Sequence, residues 1–160
     1  MDDSTTHRPL RVCADTSVSG GAHDDEFSDL SAPFFERVRE GAIRHVISVV
    51  VLEELKGAPE GVRNFFDKLF PYVERVNISK EAYALREAYM RANVVGPKWQ
   101  ADALHVAVAT VSGCRAIVSW NFKHIVNYRR IPLYNGVNQM EGYGPMAIHT
   151  PPEMISDEED

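Results

Sequence analysis

Apolar positions fall in two patterns along this chain. Some are close-packed runs, as in a buried strand, and others recur at the three-and-four spacing of a helix face. Leu10 to Ala14 is a short apolar run that stops at Asp15. Residues 31–40 predict a helix: Ser31 can cap it, Pro33 falls in its first turn and Gly41 follows its end. His45 to Ser48 is a strand-like run, and residues 49–56 are then helical, with Ser48 as a cap and Gly57-Ala58-Pro59 as the stop. Residues 60–70 predict a second short helix carrying Phe65, Phe66, Leu69 and Phe70. Tyr72 to Ile78 predicts a strand. Ser79 then caps a helix through Val94, with Ala82, Leu85, Ala88 and Tyr89 on one face. Gly96-Pro97 breaks it, and residues 99–112 form a strongly apolar helix ending at Gly113. Arg115 to Ser119 predicts a strand, Asn121 to Val126 a short helix, the stretch after Pro132 irregular chain, and Met146 to His149 a last strand.

Strands alternating with helices imply βαβ units, a mostly parallel sheet and right-handed crossovers. Ligands of such folds bind beyond the carboxyl ends of the strands, where the strand order reverses. The 160 residues suffice for one domain, expected over 10–150, with a tail at 1–9 and an acidic tail at 151–160. With 44% hydrophobic and 25% charged residues, the chain is neither disordered nor a disulfide scaffold. No apolar run is long enough for a membrane span. The polar start, Met1-Asp2-Asp3-Ser4, is unlike a secretory or transit segment, so a cytoplasmic protein is expected.

The net charge of −6 argues against attachment to nucleic acid by bulk charge. Its distribution alters that picture: residues 30–150 hold 15 basic and 11 acidic residues, and the acidic excess lies in the ends, mainly 24–26 and 157–160. The body can therefore carry a basic surface. Cys13 and Cys114 sit in separate apolar runs with no CxxC or Cys/His cluster, so they are expected to be buried free thiols without structural zinc.

Four polar positions stand out. Asp15 ends the first strand, where a helix cap or turn is the plain structural role and a site carboxylate the alternative. Asn121 holds the equivalent place after the Arg115–Ser119 run, with the same two readings. Asp102 lies in a helix that is apolar almost all round. It is expected to be buried, and therefore either paired with an arginine or bound to a cation. His105, three residues on, shares its face and is read as a core histidine able to touch the site. Glu53 and Glu54 point ~100° apart, so one can face the sheet end while the other faces solvent. Together these are oxygen ligands from separate segments, a set that suits Mg²⁺ or Mn²⁺ rather than zinc or copper. Crowded carboxylates raise one another's pKa unless a cation neutralises them.

The segments Cys13-Ala14-Asp15-Thr16-Ser17, Ser48 to Leu55, Asp102-Ala103-Leu104-His105-Val106-Ala107 and Val118-Ser119-Trp120-Asn121-Phe122 resemble, in order and spacing, the motifs of the PIN-domain family. Within that family they resemble the VapC toxins of toxin–antitoxin pairs. The stretch Ser119 to Asn127 also looks like a PIN-like subgroup. The resemblance runs from Leu10 to Thr150. It implies a PIN-like three-layer α/β/α sandwich with a parallel sheet of roughly five strands. It also implies Mg²⁺- or Mn²⁺-dependent RNA cleavage, a homodimer and a small antitoxin partner. Asp15, Glu54 and Asp102 then match the acidic site residues, Glu53 being the fallback for Glu54. Asn121 falls where many members have a fourth acid, and Ser119 matches a hydroxyl residue beside it.

On this reading Asp15, Asp102, Glu54 and Asn121 are both catalytic and metal-binding residues, and the site has a formal charge of −3 rather than −4. One tight metal ion is expected. Lys123, Arg129, Arg130 and His124 lie just beyond the fourth motif, where they can meet RNA phosphate. Two alternatives stand beside the ribonuclease. One is a catalytically silent PIN-like binding module, favoured by the acidic net charge and Asn121. The other is a different Mg²⁺ enzyme such as a phosphatase, but Asp15-Thr16-Ser17-Val18 lacks that pattern's second Asp and no phosphate-binding Gly-rich loop occurs.

Overall fold

The computed structural model describes residues 8–22 and 26–155. The acidic runs at 24–25 and 157–160, and the first seven residues of the N-terminal tail, lie outside the described residues. In chain order the elements are β1 (Leu10–Ala14), α1 (Thr16–Ala22), α2 (Ser28–Arg39), β2 (Ile43–Ser48), α3 (Val49–Lys56), α4 (Glu60–Leu69) and β3 (Val73–Val76). They continue with α5 (Lys80–Arg91), α6 (Gln100–Val111), β4 (Ala116–Val118), α7 (Arg130–Met140) and β5 (Ala147–His149).

The sheet is wholly parallel, in the order β3-β2-β1-β4-β5. The chain lays strands outward from β1 on one side, then crosses back to place β4 on its other side. The strand order therefore reverses between β1 and β4, and Asp15 and Ser119 are the residues just beyond the carboxyl ends of those strands. Side chains alternate across the sheet. Cys13, Val46 and Ile117 face α5, α6 and α7. Val12, Ala14, Ala116 and Val118 face α1 and α2. Ile47 packs under α3 and α4. The expected α/β/α sandwich is the architecture observed.

Local signals account for most element ends. Ser48 Oγ accepts from Val50 N at 3.2 Å and Ser79 Oγ from Ala82 N at 3.1 Å, so both expected caps form. Gly113 takes φ +72°, which lets Cys114 N close α6 onto Ala109 O at 3.1 Å. α5 stops at Arg91, before Val94, because Asn93 turns left-handed at φ +57° and Val94 N bonds back to Tyr89 O.

Three expectations are corrected. α2 starts at Ser28, so Ser31 is not its cap and Pro33 falls in its second turn. Ser31 is buried there, accepting from the indole N–H of Trp120 at 2.9 Å. Residues 121–126 form turns, not a helix. The stretch after Pro132 is helical, as α7, despite its Pro, Gly and Asn content. Pro132 is the third residue of that helix, where an N–H has no helical partner anyway. Buried Asn138 is held there by Tyr89 Oη and Thr110 Oγ1. Tertiary hydrogen bonds thus override weak propensity. At the other end, Pro151–Met154 forms a 3-10 turn, and Met154 and Ile155 pack on the core under α2.

His45 on β2 is 1% exposed, edge-on to Phe34 at 5.8 Å, and its Nδ1 has no hydrogen-bond partner. Burial drives its pKa down to about 4. The unfolded chain, with an ordinary imidazole near 6.5, then binds the proton more readily than the folded chain. Stability is therefore full above pH 6.5 and is lost as pH falls toward 4. This residue alone is expected to cost about 2 kcal/mol between pH 7.5 and pH 5. Urea melts across that range should show His45→Leu losing this acid limb; an unchanged limb would contradict the assignment.

Candidate active site

The centre of the site is Asp15, at the crossover point between β1 and β4. Its backbone N–H bonds Val118 O, and the following residues turn at once into α1. Its side chain is 5% exposed and sits between two serines. Ser17 Oγ donates to Asp15 Oδ1 at 2.6 Å and Ser119 Oγ donates to Oδ2 at 2.8 Å. The same hydroxyl oxygens accept from Trp120 N and Asn121 N, both at 2.9 Å. Each serine thus ties the carboxylate to the backbone turn that follows β4. Burial raises the Asp15 pKa, and the charge of Asp102 adds to this; His105 and the two serine hydroxyls oppose it.

Glu54 reaches the same crevice from α3. Its Oε1 accepts from Thr16 Oγ1 and from His105 Nε2, the latter at 3.2 Å. Glu53 points the other way, to Lys56 Nζ at 3.1 Å in solvent. The helical 100° offset thus turns Glu54, not Glu53, toward the crevice. The His105 hydrogen bond holds the Glu54 carboxyl below its usual range, with burial opposing and Thr16 assisting. Burial pulls the imidazole of His105 down, but the Glu54 hydrogen bond and the charges of Asp15, Glu54 and Asp102 outweigh it and raise its pKa.

Asp102 lies in the first turn of α6, which is buried from Ala103 to Thr110. The carboxylate itself keeps 21% of its side-chain surface in solvent, so it is less buried than expected. Its partner is no arginine. Oδ2 lies 2.9 Å from His124 Nδ1, and the His124 ring stacks on Trp99 at 4.2 Å. Asn121 turns its carboxamide oxygen inward to its own loop, accepting from Lys123 N at 3.2 Å and His124 N at 3.0 Å. That oxygen is the cap expected on the plain structural reading, and the amide NH₂ is the group left to act outward.

Asp15, Glu54 and Asp102 thus come from three elements to one crevice, with Asn121 at its rim. Their oxygens suit a hard cation, and a cation would offset the repulsion between Asp15 and Asp102. Among the described residues, however, no three His, Cys, Asp or Glu side chains stand close enough to hold an ion between them. Glu54 and Asp102 each give one carboxylate oxygen to a histidine instead.

Sequence reasoning places Thr16 and Ser17 in the first motif but gives them no role, their signal being only their place one and two residues after Asp15. It also puts Arg130 among the phosphate-facing residues, which the structure corrects. Arg130 Nε donates to Lys123 O at 2.7 Å and Nη1 to Val94 O at 2.6 Å, so its guanidinium fastens the loop. Gly21 on α1 is a further constraint: a Cβ there would lie 2.7 Å from the Trp120 ring, which stacks on Phe27 at 4.3 Å. Small size at position 21 lets Trp120, and so Asn121 beside it, seat against α1.

No family model and no curated protein matches the chain by sequence. Solved structures do share its fold. One is the crystal structure of VapBC2 from Rickettsia felis bound to a DNA fragment from their promoter. It is 14% identical over 88% of this chain and 98% of that one, with a TM-score of 0.55. Another is PAE2754 from Pyrobaculum aerophilum, 13% identical over 96% of this chain and 93% of that one, with a TM-score of 0.51. At these identities the likeness is one of fold. The chain shares their fold, a PIN-like three-layer α/β/α sandwich.

Removing the Ser119 hydroxyl takes a donor from Asp15 Oδ2. In Ser119→Ala the Asp15 carboxyl should titrate at higher pH than in the native chain, followed by carbon-13 NMR of the carboxyl signal. A shift downward would show that Ser119 does not stabilise the anion.

Proposed function

We propose that this protein is a Mg²⁺- or Mn²⁺-dependent endoribonuclease of the VapC type. The observation that carries the reading is the convergence of Asp15, Glu54 and Asp102 on the crevice where the strand order reverses. A purely structural carboxylate gains nothing from being buried beside a second one. The VapC-like fold supports the same reading. The Rickettsia felis neighbour is a VapBC2 structure, which supports a small antitoxin as this chain's partner. Among the described residues no helix is long and apolar enough to cross a membrane.

Asp15 and Asp102 would hold the ion, directly or through water. A bound divalent ion would supply charge neutralisation and Lewis acidity at the phosphate. Glu54 accepts the proton of the attacking water at Oε2, since Oε1 is occupied by Thr16 and His105. His105 holds that carboxylate in the crevice and favours its ionised form. Ser17 and Ser119 orient both oxygens of Asp15. The Asn121 amide donates to a phosphate oxygen, a role its turn-facing Oδ1 leaves open, in place of metal ligation through that oxygen.

A second reading, a catalytically silent PIN-like binding module, is favoured by the absence of a three-ligand cluster among the described residues and by Asn121 in place of a fourth acid. Cleavage of mixed structured RNAs with Mn²⁺, Mg²⁺ or EDTA separates the two. The ribonuclease should cut only with metal, and Asp102→Asn should lower the rate by at least about 100-fold. Titration calorimetry should find one tight Mn²⁺ in the native chain. Metal bound with no RNA cut by either protein would establish the silent module.

A further inference from the structure

The chain has two cysteines, far apart in sequence, and the fold brings them together. Cys13 belongs to β1, and Cys114 lies in the turn between α6 and β4. Both are free thiols, buried in the same apolar cluster against α5, α6 and α7, and they are hydrogen-bonded to each other. Nothing in the ribonuclease reading uses them. We propose that Cys13 and Cys114 are a redox pair: hydrogen peroxide oxidises Cys114, and Cys13 then closes on it to form one intramolecular disulfide between β1 and the entry to β4. The pair stands independently of what the acidic crevice does.

The backbone is fixed on one side of the pair and free to adjust on the other. Cys13 is registered between Val46 of β2 and Ile117 of β4, so its strand is held on both edges. Cys114 comes before β4 begins at Ala116. It follows Gly113, at φ +72°, and its own N–H goes to Ala109 O at 3.1 Å rather than to the sheet. The next residue does join the sheet: Arg115 N donates to Arg11 O at 2.8 Å, which keeps the two cysteine-bearing segments side by side. A disulfide needs its sulfurs at ~2.05 Å, closer than two thiols in contact. A turn residue beside a glycine supplies that shift without breaking a strand ladder.

The two thiols are not equivalent. Cys114 is the more exposed, at 7% against 3%, and only a small oxidant reaches a sulfur this enclosed. Arg11 stands beside its turn, with Nη1 donating to Ser112 O at 2.6 Å. The hydrogen bond from Cys13 and the charge of Arg11 favour the Cys114 thiolate and, against burial, lower its pKa. The thiolate is the nucleophile. It attacks one peroxide oxygen: an S–O bond forms, the O–O bond breaks, and hydroxide leaves, taking the proton that Cys114 released to become water. The Cys13 sulfur then attacks the Cys114 sulfur: the S–S bond forms, the S–O bond breaks, and hydroxide leaves with the Cys13 proton as a second water. Two thiols have lost two electrons and two protons, and one peroxide has become two waters. Disulfides of reducing compartments are mostly of this reversible, sensing kind.

The test treats the reduced full chain, folded in native buffer, with hydrogen peroxide. Peptide mapping should find Cys13 joined to Cys114, and a non-reducing gel should show a single chain. Closing a loop of about 100 residues should raise the Tm by about 10 °C, and dithiothreitol should reverse both changes. In Cys13→Ala the reaction should stop at Cys114 as a sulfenic acid, trapped by dimedone. In Cys114→Ala the labelling of Cys13 should be at least about 10-fold slower. The disulfide map of the native chain does not depend on either variant folding. Two thiols still free after peroxide, a bond between two chains, or a disulfide that forms only once urea unfolds the chain would overturn the pair and leave it as ordinary core packing.

Discussion

Everything at the crevice depends on a carboxylate buried at the crossover of a parallel sheet. Asp15 is 5% exposed, and its two oxygens are hydrogen-bonded by the hydroxyls of Ser17 and Ser119. Burial makes its charged form costly, and neighbouring Asp102 makes it costlier. The surrounding structure is organised around that cost. Ser17 and Ser119 come from the two segments flanking the crossover. Each passes the hydrogen bond on to the backbone after β4, so satisfying Asp15 also sets the turn that carries Trp120 and Asn121.

The other two carboxylates manage their charge differently. Glu54 and Asp102 each lean on a histidine, His105 from inside α6 and His124 from the loop. The site is thus a row of carboxylate–imidazole pairs around a bare acid rather than a tight acidic knot. This explains why no three of these groups close on a common point among the described residues. It also gives the loop after β4 a part in the chemistry. Through His124 the position of Asp102 is coupled to Trp99, and through Arg130 and Tyr134 to α7.

Much of this is legible in the linear pattern of residues. Asp15 is marked by the abrupt end of an apolar run, and the caps Ser48 and Ser79 by their place ahead of helical spacing. Asp102 is marked by being a charge in an apolar helix. That mark is right about position and wrong about environment, because the first turn of α6 lies at the rim while the rest is buried. α7 is not legible in the same way, because its Pro, Gly and Asn content is that of a loop. Contacts with Tyr89, Thr110 and Met146 far along the chain hold it in helical form.

The sequence by itself determined the alternation of strands and helices, the single parallel sheet, and which carboxylates could matter. These follow from local periodicity and from the cost of burying charge, which a linear pattern records. Only the tertiary structure decided that Glu54 rather than Glu53 faces the crevice and that histidines rather than an arginine attend the acids. It alone decided that Arg130 is a fastener and that Trp99 meets the loop after β4. Each of these depends on distances between segments remote in the chain, and those distances are set by packing across the sheet.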